Sequence, residues 1–218
     1  MNYKTNHFSI NLGFDINEGD ILQATNRLND FLAILPPSLY RNIDFKTTGA
    51  LIGAVYCTKL SEEIKGATVN PIEKGYPDII PVVGLCASEE ELRNYPKGLE
   101  IKGTIGNLKT GIKLSAGEPR IDFLSGITWQ AHHREGKLLL GFVWDFISLI
   151  DGFYYPAITA VYFTNNLSTE DWGEISGITG RNTKVSGMRK SGKIKMASGN
   201  ILIINEPHYI KRYKELLG

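Results

Sequence analysis

Apolar residues near the start of the chain recur with the spacing of an α-helix. Residues 18–35 place a set of them near one face, and Pro36 and Pro37 then stop the helix. That set is Ile21, Leu22, Leu28, Phe31, Leu32 and Leu35. Small and apolar residues predict a second, buried helix over residues 46–66, for which Gly66 is a natural C-terminal cap.

Two short apolar runs in the middle of the chain predict β-strands. They read GYPDIIPVVG at residues 75–84 and GLEIKGT at residues 98–104, and a turn of helix or a loop separates them. Residues 103–120 are polar and rich in glycine, which is typical of an exposed loop or ribbon. Later apolar runs predict strands over residues 137–147, 156–166 and 200–205, and helices over residues 121–134 and 208–218.

This order of elements predicts a mixed α/β fold, in which helices flank a central mixed β-sheet whose later strands are buried. The chain has 218 residues, 42% of them hydrophobic, so it is long enough to build a substantial core. We therefore expect a single domain over residues 1–218. Its parts are a helical region at 1–45, a central core at 46–165 and a basic segment at 175–205.

Composition narrows the class of protein further. No apolar run is long enough to span a bilayer, and the first residues lack the apolar block of a signal peptide. We therefore expect a cytoplasmic protein without a membrane partner. Cys57 and Cys86 lie in apolar surroundings without metal-type spacing, which predicts two buried, reduced thiols.

Positive charge is concentrated near the C-terminal end, although the net charge of the chain is only +1. Residues 175–205 contain no Asp or Glu, but they contain Arg181, Lys184, Arg189, Lys190, Lys193 and Lys195. A localised cationic segment indicates an anionic partner, and a solvated basic loop is the alternative.

Charged residues also interrupt both central strands, where a buried strand would favour apolar ones. Asp78 falls in the first, while Glu100 and Lys102 share one face of the second because side chains alternate along a strand. If the strands pair, two carboxylates and an ammonium converge. Close carboxylates repel by roughly several kcal/mol at an effective dielectric of about 20 unless a cation separates them. Oxygen ligands of this kind suit magnesium, and Lys102 could orient or deprotonate a water or counter charge on a phosphate.

Pro77-Asp78, followed after twenty-one residues by Glu100-Ile101-Lys102, resembles the PD-(D/E)XK nuclease superfamily, best known as type II restriction endonucleases. The resemblance covers the centre of the chain, from the helix before Asp78 to the strand ending near Phe146. It implies an αβββαβ core, so that residues 46–165 would be the catalytic core of an endonuclease domain. It also implies magnesium-dependent cleavage of double-stranded DNA at a short specific sequence, by a homodimer.

The resemblance further implies a role for each residue of the motif. Asp78 and Glu100 would be metal ligands, and the carbonyl of Ile101 would complete the protein's share of the magnesium shell. Lys102 would position the attacking water. Many members add an acidic residue from the preceding helix, for which the candidates here are Glu62 and Glu63 at the end of that helix, with simple surface exposure as the alternative. Glu73, beyond the helix, is a further candidate with the same alternative.

If the chain is a nuclease, DNA is the expected anionic partner of the basic segment. Lysine and arginine can neutralise phosphates, and polar side chains can reach base edges. We expect DNA contacts from Arg181, Asn182, Lys184, Arg189, Lys190 and Lys193. His132-His133 is more typical of a solvated helix face than of a zinc site, and Trp129 and Trp144 are expected in the core. Two alternatives stay open: a structure-specific repair or recombination nuclease of this superfamily, and a non-catalytic DNA-binding module.

Overall fold

The structure is a computed structural model that describes residues 1–73, 75–131, 134–175 and 185–217. Its helices are α1 (Glu18–Ile34), α2 (Pro37–Asn42), α3 (Phe45–Glu63), α4 (Glu89–Leu92), α5 (Lys190–Ser198) and α6 (Pro207–Leu217). Its strands are β1 (Tyr3–Thr5), β2 (Ser9–Asn11), β3 (Asp15–Asn17), β4 (Ala67–Val69), β5 (Ile79–Pro81), β6 (Ile101–Thr104), β7 (Asn107–Leu108), β8 (Leu124–Gly126), β9 (Gln130–Ala131), β10 (Leu139–Ile150), β11 (Phe153–Thr164), β12 (Ser186–Gly187) and β13 (Asn200–Ile204). Short 3-10 turns cover Val82–Cys86, Ile121–Phe123 and Thr169–Asp171.

Five strands form the central sheet, in the order β1-β13-β11-β10-β6. β6 runs parallel to β10, and the other neighbouring strands are antiparallel. The mixed α/β class is therefore confirmed. None of the helices in the described part of the chain has the length and apolarity needed to cross a bilayer.

The sheet separates two layers of hydrophobic core. The even-numbered residues from Leu140 to Phe146 pack with α1 and α3, whereas Leu139 and Val143 join the layer that contains residues of α5 and α6. This alternation follows from the opposite directions of successive side chains along β10. Since both faces of β10 and β11 are covered, these strands are almost continuously apolar, as the sequence indicates.

Helix α1 begins and ends as its sequence predicts, and α3 begins as predicted, but α3 ends at Glu63 rather than at Gly66 because the backbone is already extended at Ile64. The Asn17 side chain caps α1 by accepting hydrogen bonds from the backbone of its first turn. The Asp20 side chain in turn accepts a hydrogen bond from the Asn17 N–H. The helix ends just before Pro36. Asp44 caps α3 by accepting from the Thr47 N–H at 2.6 Å. The Asp44 cap fixes the start of α3, whose buried face packs beside β6.

The two central strands do lie beside each other. The Ile79 N–H donates to the Leu99 carbonyl at 3.0 Å, and the Leu99 N–H donates back to Ile79 at 2.8 Å. The first strand is shorter than expected, because β5 ends at Pro81 and an exposed 3-10 turn follows. Cys86 lies in that turn and is exposed, so the expectation of a second buried thiol is wrong; Cys57 is buried as expected.

The prediction of a helix over residues 121–134 is also wrong. The described residues form a 3-10 turn followed by β8 and β9. Ile127, Trp129 and Ala131 are buried at alternate positions, which is the period of an extended chain, and Gly126 weakens any helix here. The described residues between β6 and β10 thus supply no α-helix for an αβββαβ core. The N-terminal region, expected to be helical, also contributes β1, β2 and β3.

Candidate active site

Three charged side chains meet beside β6, the edge strand of the central sheet: Lys102 lies within β6, Glu100 directly precedes it, and Asp78 directly precedes β5. The Lys102 ammonium forms ion pairs with Glu100 and with Asp78, whose Oδ2 lies 3.6 Å from Lys102 Nζ. Asp78 Oδ2 also accepts a hydrogen bond from the Ile101 N–H at 2.8 Å. The motif predicted from the sequence is therefore brought together in space.

The loop that carries Asp78 is held by a residue that the sequence did not single out. The buried Asn70 amide donates to the carbonyls of Pro77 and Leu92, at 3.1 and 2.9 Å. The Asn70 N–H donates to the Asp78 carbonyl at 2.9 Å. These bonds fix the backbone on which the Asp78 carboxylate is mounted.

Glu100 is the most enclosed of the three charged groups. Its side chain is 11% exposed, against 31% for Asp78. Burial raises the pKa of the Glu100 carboxyl from 4.5 to about 7, while Lys102 opposes the shift and the Asp78 charge adds to it. One oxygen, Glu100 Oε2, is buried and makes no hydrogen bond within the described chain.

Lys102 is held in its charged form. Burial alone would lower the pKa of its ammonium, but the charges of Glu100 and Asp78 outweigh burial and raise that pKa. A lysine that keeps its proton at neutral pH cannot remove a proton from water. Of the three roles open from the sequence, deprotonating a water is therefore disfavoured, which leaves orienting a water and countering negative charge.

The oxygen atoms at this edge are of the kind that magnesium prefers. Two carboxylates share the Lys102 ammonium, which pairs with Oδ2 of Asp78 and Oε1 of Glu100. Because the N–H and the carbonyl of one residue in a strand point to the same side, the Ile101 carbonyl lies on the side of its N–H, which faces Asp78. Asp78, Glu100 and the Ile101 carbonyl thus fit a magnesium ion that keeps several waters. The described residues contain no cluster of three or more His, Cys, Asp or Glu side chains suited to a metal.

A narrow cavity adjoins these residues. Tyr76, Glu100, Lys102 and Trp172 all line it. Burial, followed by the charge of Glu100, raises the pKa of the Tyr76 phenol. Tyr76 directly precedes Pro77-Asp78, so its place in the sequence already indicated that it lies close to the site. Trp172 is 72 positions from Glu100, so no local pattern links the two.

Comparison of the chain with protein-family models, curated proteins and solved structures found no match.

Two of the three acidic candidates before Asp78 have other partners, and the third is exposed. Glu62 pairs with Arg27 at 2.9 Å and Lys59 at 3.0 Å, and Glu63 also pairs with Arg27. Glu73 is exposed. From α3, the buried Cys57 is close enough to feel the charge of the site: burial and then the charge of Asp78 raise the pKa of its thiol.

Only part of the basic segment is described. Arg181, Asn182 and Lys184 lie outside the described residues, as do His132 and His133. Arg189 and Lys190 are exposed at the start of α5, and Lys193 is half-buried.

The residues just before Arg189 pair with backbone that lines the cavity. Ser186 pairs with Ala131, and Met188 pairs with Trp172 in an antiparallel bridge. Because Ala131 and Trp172 both line the cavity, the exposed Arg189 and Lys190 follow within a few residues of it.

Proposed function

We propose that this protein is a magnesium-dependent type II restriction endonuclease, which cleaves double-stranded DNA at a short specific sequence and acts as a homodimer. The observation that carries the proposal is the convergence of Asp78, Glu100 and Lys102 at one sheet edge. Two partly desolvated carboxylates and a charged lysine beside a cavity support this proposal, because strongly perturbed charged groups gather at functional sites.

Each residue has a distinct part in the proposed reaction. Asp78, Glu100 and the Ile101 carbonyl would hold magnesium, which supplies activation of a water and stabilisation of charge on the phosphate. Lys102, charged and 24% exposed, orients that water and counters the negative charge that develops on the scissile phosphate. Arg189 and Lys190 supply positive charge for the flanking DNA backbone.

The direct test is cleavage of plasmid DNA with and without magnesium, using the wild type, Asp78→Asn and Lys102→Met. Asp78→Asn should abolish cleavage, because it removes a ligand charge. Lys102→Met should lower the single-turnover rate by roughly a hundredfold or more, the scale for loss of a positioned electrostatic group. Glu90→Gln, which neutralises an exposed carboxylate in α4, is the matched control and should cut normally.

The products separate the proposal from its alternatives. Discrete magnesium-dependent fragments support a site-specific enzyme, whereas a smear or branch-specific nicks indicate a structure-specific nuclease. Binding of DNA without cleavage, under all divalent metals tried, indicates a non-catalytic module. Full activity in Lys102→Met would contradict the role given to this residue.

A further inference from the structure

Two buried polar atoms without hydrogen bonds in the described chain belong to residues that line the same cavity. One is the acceptor Glu100 Oε2, and the other is the donor Nε1 of Trp172. Trp172 is only 2% exposed, so its indole N–H has no access to bulk water. Nearly all buried polar groups in folded proteins are satisfied, so a donor and an acceptor left beside one cavity indicate a shared partner.

The size and chemistry of the cavity indicate what that partner is. Its free volume is about 10 Å³, close to the roughly 10–15 Å³ that a single water molecule requires. A water can accept a hydrogen bond from the indole of Trp172 and donate one to the carboxylate of Glu100. The remaining lining includes apolar side chains such as Leu138 and Leu167, which would confine the water to this position.

We propose that one ordered water molecule bridges Trp172 Nε1 and Glu100 Oε2, and that Trp172 is thereby a positioning residue for the metal site. The bridge holds Oε2 on the cavity side. It leaves Oε1, which pairs with the same Lys102 ammonium as Asp78, as the oxygen that would bind magnesium. The catalytic consequence rests on the proposed function, whereas the water bridge does not.

The bridge can be detected without any measurement of activity. In protein labelled with ¹⁵N in its indole groups, the Trp172 N–H should show magnetisation exchange with a long-lived water. Glu100→Leu should remove that signal, because the water then loses its acceptor. Trp129 provides the internal control, since its indole N–H donates to the Phe142 carbonyl at 3.3 Å and should show no such water. Absence of a water signal from Trp172 in the wild type would overturn the bridge.

The positioning role has a separate test. Trp172→Phe keeps an aromatic ring but removes the donor, so the bridging water no longer orients Glu100. The magnesium concentration that gives half-maximal cleavage should rise roughly tenfold, the scale of one hydrogen bond to a charged group, while DNA affinity stays unchanged. Trp129→Phe removes an equally buried indole that serves the core, and it should leave the magnesium requirement unchanged.

The two tests keep the proposals apart. If the wild type does not cut DNA, the proposed function fails, and the water signal of Trp172 still decides the bridge. If the wild type cuts and Trp172→Phe retains the normal magnesium requirement, the positioning role is wrong while the nuclease stands.

Discussion

At the scale of single residues, the buried carboxyl group of Glu100 lowers the stability of the folded protein when it is ionised. Because burial raises its pKa from 4.5 to about 7, the native protein holds a proton here that the unfolded chain has already lost. The free energy of unfolding therefore falls as pH rises through that interval. In the absence of metal, Glu100→Gln should unfold at a higher temperature than the wild type, by a margin that grows from about pH 5 to about pH 8.

Thermal unfolding across pH checks this expectation. The groups that face Glu100 are Lys102 on its own strand, Asp78, Tyr76 and Cys57, and all of them are retained in the variant. Glu90→Gln changes an exposed carboxylate and should follow the wild type at every pH. A constant difference between Glu100→Gln and the wild type would mean that burial does not govern this carboxyl group.

The sequence identified the charged residues of the site but not the residues that orient them. Asp78, Glu100 and Lys102 stand out because a charge inside a strand-like run is unusual. Asn70 and Trp172 carry no such signal, since an Asn before a turn and a Trp in an apolar chain are both ordinary. Their roles depend on contacts across many positions of sequence, which only the folded chain defines.

At the scale of elements, the position of β6 depends on one glycine. A Cβ atom on Gly103 would lie 2.2 Å from Phe142 Cζ, and Phe142 is fully buried against Tyr56. Gly103→Ala must therefore displace either β6 or the ring. We expect a loss of about 1–3 kcal/mol in the free energy of unfolding, together with slower cleavage, because Glu100 and Lys102 move with the strand.

Chemical denaturation and single-turnover cleavage measure the two effects. Gly53→Ala is the matched control, because a Cβ there meets no atom within 4 Å and Gly53 lies in the middle of α3. That change should raise stability by up to about 1 kcal/mol. Gly103→Ala protein with normal stability and rate would show that β6 tolerates the side chain.

Elements were predictable where their periodicity was local and unambiguous. The apolar face of α1 and the continuous apolar runs of β10 and β11 needed no knowledge of the fold. Residues 121–131 contain apolar residues at both helical and alternating spacings, so the sequence alone could not decide. The burial of Trp129 beside Tyr162, with ring centroids 5.8 Å apart, selects the extended form.

At the scale of the whole molecule, the basic segment provides a test of DNA binding. Arg189 and Lys190 are exposed, and the Arg189 N–H that donates to the Asp171 carbonyl at 2.7 Å survives a change of side chain. Replacing both residues with alanine should weaken DNA binding. It should also reduce the slope of log affinity against log salt by about 0.9 for each phosphate that the protein no longer neutralises.

The control for this prediction removes the same charge elsewhere. Lys211 and Lys214 are exposed on α6, and their double alanine variant has the same net charge as the first. Titrations of labelled DNA at several salt concentrations distinguish the pair. Equal slopes for both variants would show that the protein's overall charge, rather than this segment, sets the affinity.

The place of β6 at the end of the strand order also governs how the site opens. On one side β6 pairs with β10 over four residues; on the other, the Ile101 N–H is held by the Asp78 side chain rather than by a strand. The free energy of local unfolding is lower for an edge strand of this kind than for the strands at the centre of a sheet. The Ile101 amide should therefore exchange with deuterium faster than amides within β10 and β11. A cation bound only by the closed form should slow that exchange by a factor of one plus its concentration divided by its Kd. Deuterium uptake at the Ile101 amide would then measure the affinity for magnesium in the absence of DNA.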